Sequence, residues 1–217
     1  MFVGHFALGF AAKRAAPRLS LALLFVAAQL ADLVWPLLIA IGIEQVRIDP
    51  GNTAFTPLDF VSYPYSHSLA LLVVWGLALA YAVCGVSRTG AILAALVVSH
   101  WVLDWVTHRP DMPLYPGSAQ YGLGLWNSIP ATVAIELAMF AAGVWIYAAS
   151  TRARDAIGRW AFVGFIAFLL AAYAANVFGP PPPSVTALWI VASVGAVVFI
   201  AWAGWFDYHR TPIHAAR

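Results

Sequence analysis

A chain of 217 residues that is 63% hydrophobic and 9% charged lies far from soluble domains, which carry about 25% charged residues. That excludes a water-soluble fold. A net charge of +2 leaves no basic field to hold nucleic acid, and a single cysteine, Cys84, excludes a disulfide framework or a thiolate metal site within one chain.

A spanning helix needs about 20 mostly apolar residues. The chain opens with a shorter apolar stretch, 2–12, that is too short to span. It reads as a helix dipping into the bilayer and packed on the others, with Gly4, Ala7, Gly9, Ala11 and Ala12 permitting close approach. It has no basic start, so it does not read as a cleavable signal. Six stretches of spanning length follow: 19–43, 66–84, 89–108, 127–149, 158–178 and 184–206. The expected fold is an all-α polytopic bundle, six transmembrane helices plus the short N-terminal one, in a single domain.

Lys and Arg orient the bundle, because they are retained on the cytoplasmic side. With six spans, Lys13, Arg14, Arg18, Arg88, Arg152, Arg154, Arg159, Arg210 and Arg217 share one side. Only Arg47 and Arg109 lie on the other. The expected placement is a multi-pass protein of the bacterial inner membrane with a cytoplasmic C-terminus. The two long outer loops, 44–65 and 109–126, are rich in Pro, Gly and aromatics. Tyr63, Tyr65, Trp101, Trp105, Tyr115 and Trp126 suit the headgroup level. Loop 179–183 is a stiff proline connector.

Ionisable residues inside spans are costly and mark function. His5, Asp32, His67, His100, Asp104 and Glu136 are the candidates. His100, Asp104 and His108 recur every four residues, so they share one helical face over about 12 Å. Glu136 falls about 13 Å and Asp32 about 16 Å below the outer surface at 1.5 Å per residue. All six thus fall at the outer side or near the midplane. The bland reading is a set of independent His–Asp hydrogen bonds. The sharper one is a shared centre facing the periplasm. Imidazoles and carboxylates without thiolate suit zinc, or Mn, Fe or Co, as one or two ions.

His5, Asp32, His67, His100, Asp104 and Glu136 are therefore expected metal ligands, with Glu136 and Asp32 as the catalytic carboxylates. His108 and Arg109 are expected at the substrate, since Arg grips phosphate bidentately. Ser66 and Asn127 or Ser128 read as N-caps. Asp49, Asp59 and Asp111 read as turn residues, and His209 and His214 as solvated.

The order of these motifs resembles a bacterial inner-membrane family of membrane-bound metal-dependent hydrolases. The matching features are Gly4-His5 followed by Phe-Ala-Leu-Gly, Ala31-Asp32-Leu33, Ser66-His67-Ser68, and Ser99-His100 leading to Asp104. They cover residues 1–110, with a weaker echo at Glu136. Two departures stand out. The family's Pro-Asp-x-Asp is here a lone Asp32, and its basic residue before the His-Ser pair is replaced by Tyr63-Pro64-Tyr65. A looser similarity links the helix-borne His, Asp and Glu to zinc-dependent phospholipase C. The resemblance implies a hydrolase acting on a membrane lipid, such as a phospholipid or another lipid phosphoester. A proton- or cation-coupled transporter and a membrane protein with a structural metal site are the alternatives. The oligomeric state is not legible.

Overall fold

The computed structural model describes residues 1–213, so His214 and Arg217 lie outside the described residues. The described residues are 68% helical. Its elements are α1 (Val3–Ala15), α2 (Leu21–Ala28), α3 (Leu30–Ala40), β1 (Gln45–Ile48), β2 (Leu58–Ser62), α4 (Pro64–His67), α5 (Leu69–Cys84) and α6 (Arg88–Thr107). After them come β3 (Met112–Pro113), β4 (Gln120–Tyr121), α7 (Ile129–Ser150), β5 (Thr151–Ala153), α8 (Ala156–Phe178), α9 (Val185–Tyr208) and β6 (Arg210–Pro212).

Four helices, α6 to α9, are long and apolar enough to cross a membrane. The stretch expected as span 19–43 is broken: α2 and α3 meet at Gln29 with a 60° bend, and make a fifth crossing if taken together. Leu33 N bonds the Gln29 carbonyl, restarting the ladder there. Pro36 lies inside α3 and has no N–H for the carbonyl of residue 32, which weakens its first turns further. α5 has 16 residues and falls short of the spanning length. It begins later than expected because Ser68 is extended and ends the four-residue turn α4.

Serine and aspartate set the helix starts. Ser20, Ser87, Ser128, Asp155 and Ser184 each accept a hydrogen bond from a backbone N–H in the first turn of the following helix. Of the expected caps, Ser128 fills that role. Ser66 does not, because it lies within α4.

α1 is not a surface helix. Val3, His5, Phe6, Ala7, Phe10 and Lys13 are all buried, and α1 packs on α7, α2, α6 and α8. Close approach explains this: a Cβ on Gly143 would overlap the Ala7 carbonyl, and one on Gly9 would strike the Phe25 ring. Around its middle, Phe10 sits 4.9 Å from Phe25 and 5.3 Å from Tyr147, and Phe6 sits 5.0 Å from Phe25.

The long loops hold structure that hydrophobic periodicity does not reveal. β1 pairs antiparallel with β2, and β3 with β4, at one end of the bundle. At the opposite end β5 pairs with β6, joining the α7–α8 connection to the chain after α9. Asp207, near the end of α9, is buried there. It receives Lys13 Nζ and Tyr147 Oη at 2.7 Å each and Leu21 N at 2.9 Å. This cluster ties α1, α2, α7 and α9 together, and it corrects the expectation that ionisable groups gather only toward one side of the bundle.

Candidate metal centre

His100 and Asp104 sit one turn apart on the buried face of α6, as their spacing requires. Asp32 comes from α3 just past the break, and His67 ends α4. These elements converge in the half of the bundle nearer the β1–β4 hairpins. His100 Nε2 lies 3.0 Å from Asp104 Oδ2 and 3.8 Å from Asp32 Oδ1. His67 Nε2 lies 3.5 Å from Asp32 Oδ1 and 3.9 Å from Asp104 Oδ2. Four ligand atoms around one tetrahedral zinc are separated by about 3.3–3.5 Å. The observed distances straddle that value.

Proton placement makes the case stronger than distance does. His100 Nδ1 is 2.8 Å from the Ala28 carbonyl, which can only accept. The ring proton therefore sits on Nδ1. Nε2 is left buried and without a hydrogen-bond partner, facing two carboxylates. Lone pairs facing one another at 3.0 Å repel unless a second ring proton or a metal ion lies between them. Metal-binding imidazoles commonly show this pattern, one nitrogen on the ion and the other donating to a carbonyl or carboxylate. The break between α2 and α3 is what turns Ala28 toward His100.

His67 repeats the logic. Its Nδ1 is 2.7 Å from Ser66 Oγ, which is also 2.6 Å from Glu44 Oε2. Glu44 Oε1 accepts from Tyr65 N and Ser66 N at 2.8 and 2.9 Å. The order Glu–Ser–His is the reverse of a nucleophile relay, in which the base stands between acid and serine. The Ser66 hydroxyl proton points at Glu44, so Ser66 is not an activated nucleophile.

His5 is brought to the same place. Its ring stacks on His100 with centroids 3.7 Å apart, and its Nε2 is 3.0 Å from Asp104 Oδ1. The Met1 amine bonds the same oxygen. His5, Asp32 and His100 form a second group with ligand atoms within 4.8 Å, beside His67, His100 and Asp104. The donor set fits a divalent cation. Among these groups only the Asp32 side chain is open, at 43% exposure, against 3% or less for the others.

Glu136 is buried on α7 and stands apart from both ligand groups. Its Oε2 caps α1, accepting from Phe2 N at 2.9 Å and Gly4 N at 3.2 Å, and its Oε1 has no partner. His108 also lies outside the centre. Its Nδ1 donates to Asp111 at 2.9 Å, and its ring lies 4.1 Å from Trp126. Asp111, expected as a turn residue, is buried and also accepts from Tyr63 Oη at 2.8 Å. Burial first, then the Asp111 carboxylate, push the Tyr63 hydroxyl's pKa up, so it stays a donor. Arg109 reaches Asp59, Asn52 and Asp111. Asp59 is therefore an ion-pair partner as well as a strand residue. His209, expected free in solvent, is 2.6 Å from Asp155.

Sequence reasoning missed Glu44, the Ala28 carbonyl and Asp207. A lone acid beside a turn carries no periodic signal, and a backbone carbonyl carries none at all. Asp207 could have been found, because it is an acid directly following the apolar run of the last span, 184–206.

No family model, curated protein or solved structure matches the chain.

Proposed function

We propose that this protein is a membrane-embedded metal-dependent hydrolase acting at the outer, periplasmic leaflet on a lipid phosphoester. One observation carries the metal reading: two buried imidazoles, one of them with Nδ1 held by the Ala28 carbonyl, aim Nε2 at two carboxylates from separate elements. Hydrolysis is supported by the motif resemblance to membrane-bound metal-dependent hydrolases.

His67, His100, Asp32 and Asp104 would hold the ion, with His5 supporting Asp104 through Oδ1 or serving a second ion. Zinc is the first choice for such N and O donors. A divalent ion there supplies Lewis acidity toward a scissile phosphoester. The chain's own part is placement. Asp32, the one open ligand, is where a substrate headgroup arrives, and its second oxygen can accept a proton. Trp35 and Phe60, 5.5 Å apart, build an apolar wall on the same side. Phe60 also lies 4.8 Å from His108.

The finer architecture is part of the proposal. α2–α3 and α5 would serve as the first and second of six spans in the bacterial inner membrane. The split of basic residues then puts the C-terminus in the cytoplasm. A buried charge cluster at the Lys13 end favours a transport pathway as the second reading. Phe6, Phe10 and Phe25 fill the bundle between that cluster and the metal centre, and they oppose it.

Elemental analysis of detergent-purified protein reconstituted with Zn or Mn should return about one ion per chain or more. The same preparation should release phosphate or phosphorylated headgroup from phospholipid micelles, and Asp104→Asn should abolish release. A metal content below about 0.2 per chain would end the metal reading. Full loading without turnover, but with cation flux in liposomes, would favour transport.

A further inference from the structure

We propose that Glu44 and Ser66 set the tautomer of His67, making Nε2 its metal-binding nitrogen. The inference rests on the metal reading above and concerns groups outside the ligand set.

The donor and acceptor count leaves one solution. Glu44, Ser66 and His67 are all buried. Two backbone donors, Tyr65 N and Ser66 N, occupy Glu44 Oε1. The carboxylate's other oxygen faces Ser66 Oγ at 2.6 Å and takes its only proton. Ser66 Oγ can then offer only a lone pair to His67 Nδ1 at 2.7 Å, so Nδ1 must carry the ring proton. His67 Nε2 is left bare, facing Asp32 and Asp104. Glu44 and Ser66 never reach the ligand atoms. They are positioning residues that act through His67.

Glu44→Gln gives a sharp test because the backbone fixes which way the amide points. The Gln oxygen must stay on Tyr65 N and Ser66 N, so the NH2 group faces Ser66 Oγ. Ser66 then donates to His67 Nδ1, and the ring proton moves to Nε2, where it blocks coordination. The change keeps shape and reverses a hydrogen-bond chain. Ser66→Ala breaks the chain without altering charge, and Ser66→Thr should restore it.

The measurement is the pair of imidazole 15N shifts of His67 in metal-free, 15N-histidine-labelled full-length protein in detergent. His67→Gln supplies the assignment. Wild type and Ser66→Thr should show protonated Nδ1 and bare Nε2, Glu44→Gln the reverse, and Ser66→Ala a mixture. Zinc affinity, measured by chelator competition, should fall about 10- to 100-fold in Glu44→Gln and Ser66→Ala and stay near wild type in Ser66→Thr. A His67 tautomer unchanged by Glu44→Gln and Ser66→Ala would overturn the proposal. So would unchanged zinc affinity in both variants when His67→Ala loses it. Should Glu44→Gln not fold, Ser66→Ala and Ser66→Thr decide alone. Wild-type protein that binds no zinc would defeat the metal reading, while the 15N shifts would still decide the tautomer.

Discussion

His100 Nε2 and Asp104 Oδ2 face each other at 3.0 Å, and both residues are buried. Electrostatic repulsion between them is relieved only by a proton or a metal ion, so binding should stabilise the fold. Zinc at about 100 times its Kd should add about 2.7 kcal/mol, read as a rise in unfolding temperature. His100→Ala should remove the increment. A different residue pair sets the baseline. Lys13 and Asp207 are each 6% exposed and 2.7 Å apart. Removing Lys13 leaves a buried carboxylate without its counter-charge, so Lys13→Met should cost about 3–5 kcal/mol, and Lys13→Met with Asp207→Leu should recover only part of it, because Tyr147 Oη and Leu21 N then lose their acceptor. Chemical denaturation of the three proteins measures both effects. At this scale the sequence was informative where a charge interrupts an apolar run: His5, Asp32, His67, His100 and Asp104 were all visible that way. It was silent on Glu44 and Asp111, which lie in loops where acids are ordinary and whose burial depends on distant partners.

At the scale of elements, the four longest helices were legible to within a few residues, because unbroken apolar runs leave the backbone no other way to satisfy itself in a bilayer. The break at Gln29 was not, since its immediate neighbours are all good helix formers and Pro36 lies seven residues further on. α1 meets α7 at Gly143. Gly143→Val should push the Ala7 backbone away, cost about 1–3 kcal/mol, and weaken zinc binding by shifting His5 against His100. Gly143→Ala should do the same to a smaller degree. Chelator competition beside an unfolding curve reads both. The start of α8 makes a separate prediction. Gly158 N, the larger cause, and then His209 hold the Asp155 carboxyl below its ordinary pKa. A depressed acid contributes above its unfolded pKa and loses that contribution as pH falls through the folded one. Protection of the Gly158 amide, its exchange rate relative to the intrinsic rate at the same pH, should therefore be high at neutral pH and fall as pH drops through the lowered Asp155 pKa. Asp155→Ala should show low protection at every pH.

For the whole molecule, composition alone excluded a soluble fold, and basic-residue asymmetry gave a testable orientation. In a background with Cys84 replaced by serine, a cysteine at Gln120, exposed on β4, should react with a membrane-impermeant maleimide in intact spheroplasts. One at Arg152, exposed on β5, should react only after permeabilisation. The reverse pattern would invert the proposed topology and move the site to the cytoplasmic face.

The 60° bend at Gln29 also ties the proposed metal centre to the membrane's mechanics. The Ala28 carbonyl that fixes the His100 ring belongs to the segment before the bend, and Asp32 belongs to the segment after it. A bilayer that thickens favours a straighter helix pair, and one that thins favours a sharper bend. Either change moves an imidazole support relative to a carboxylate ligand. Ion affinity should then vary with acyl-chain length across a series of lipid nanodiscs. The proposed site would then respond to the lipid around it.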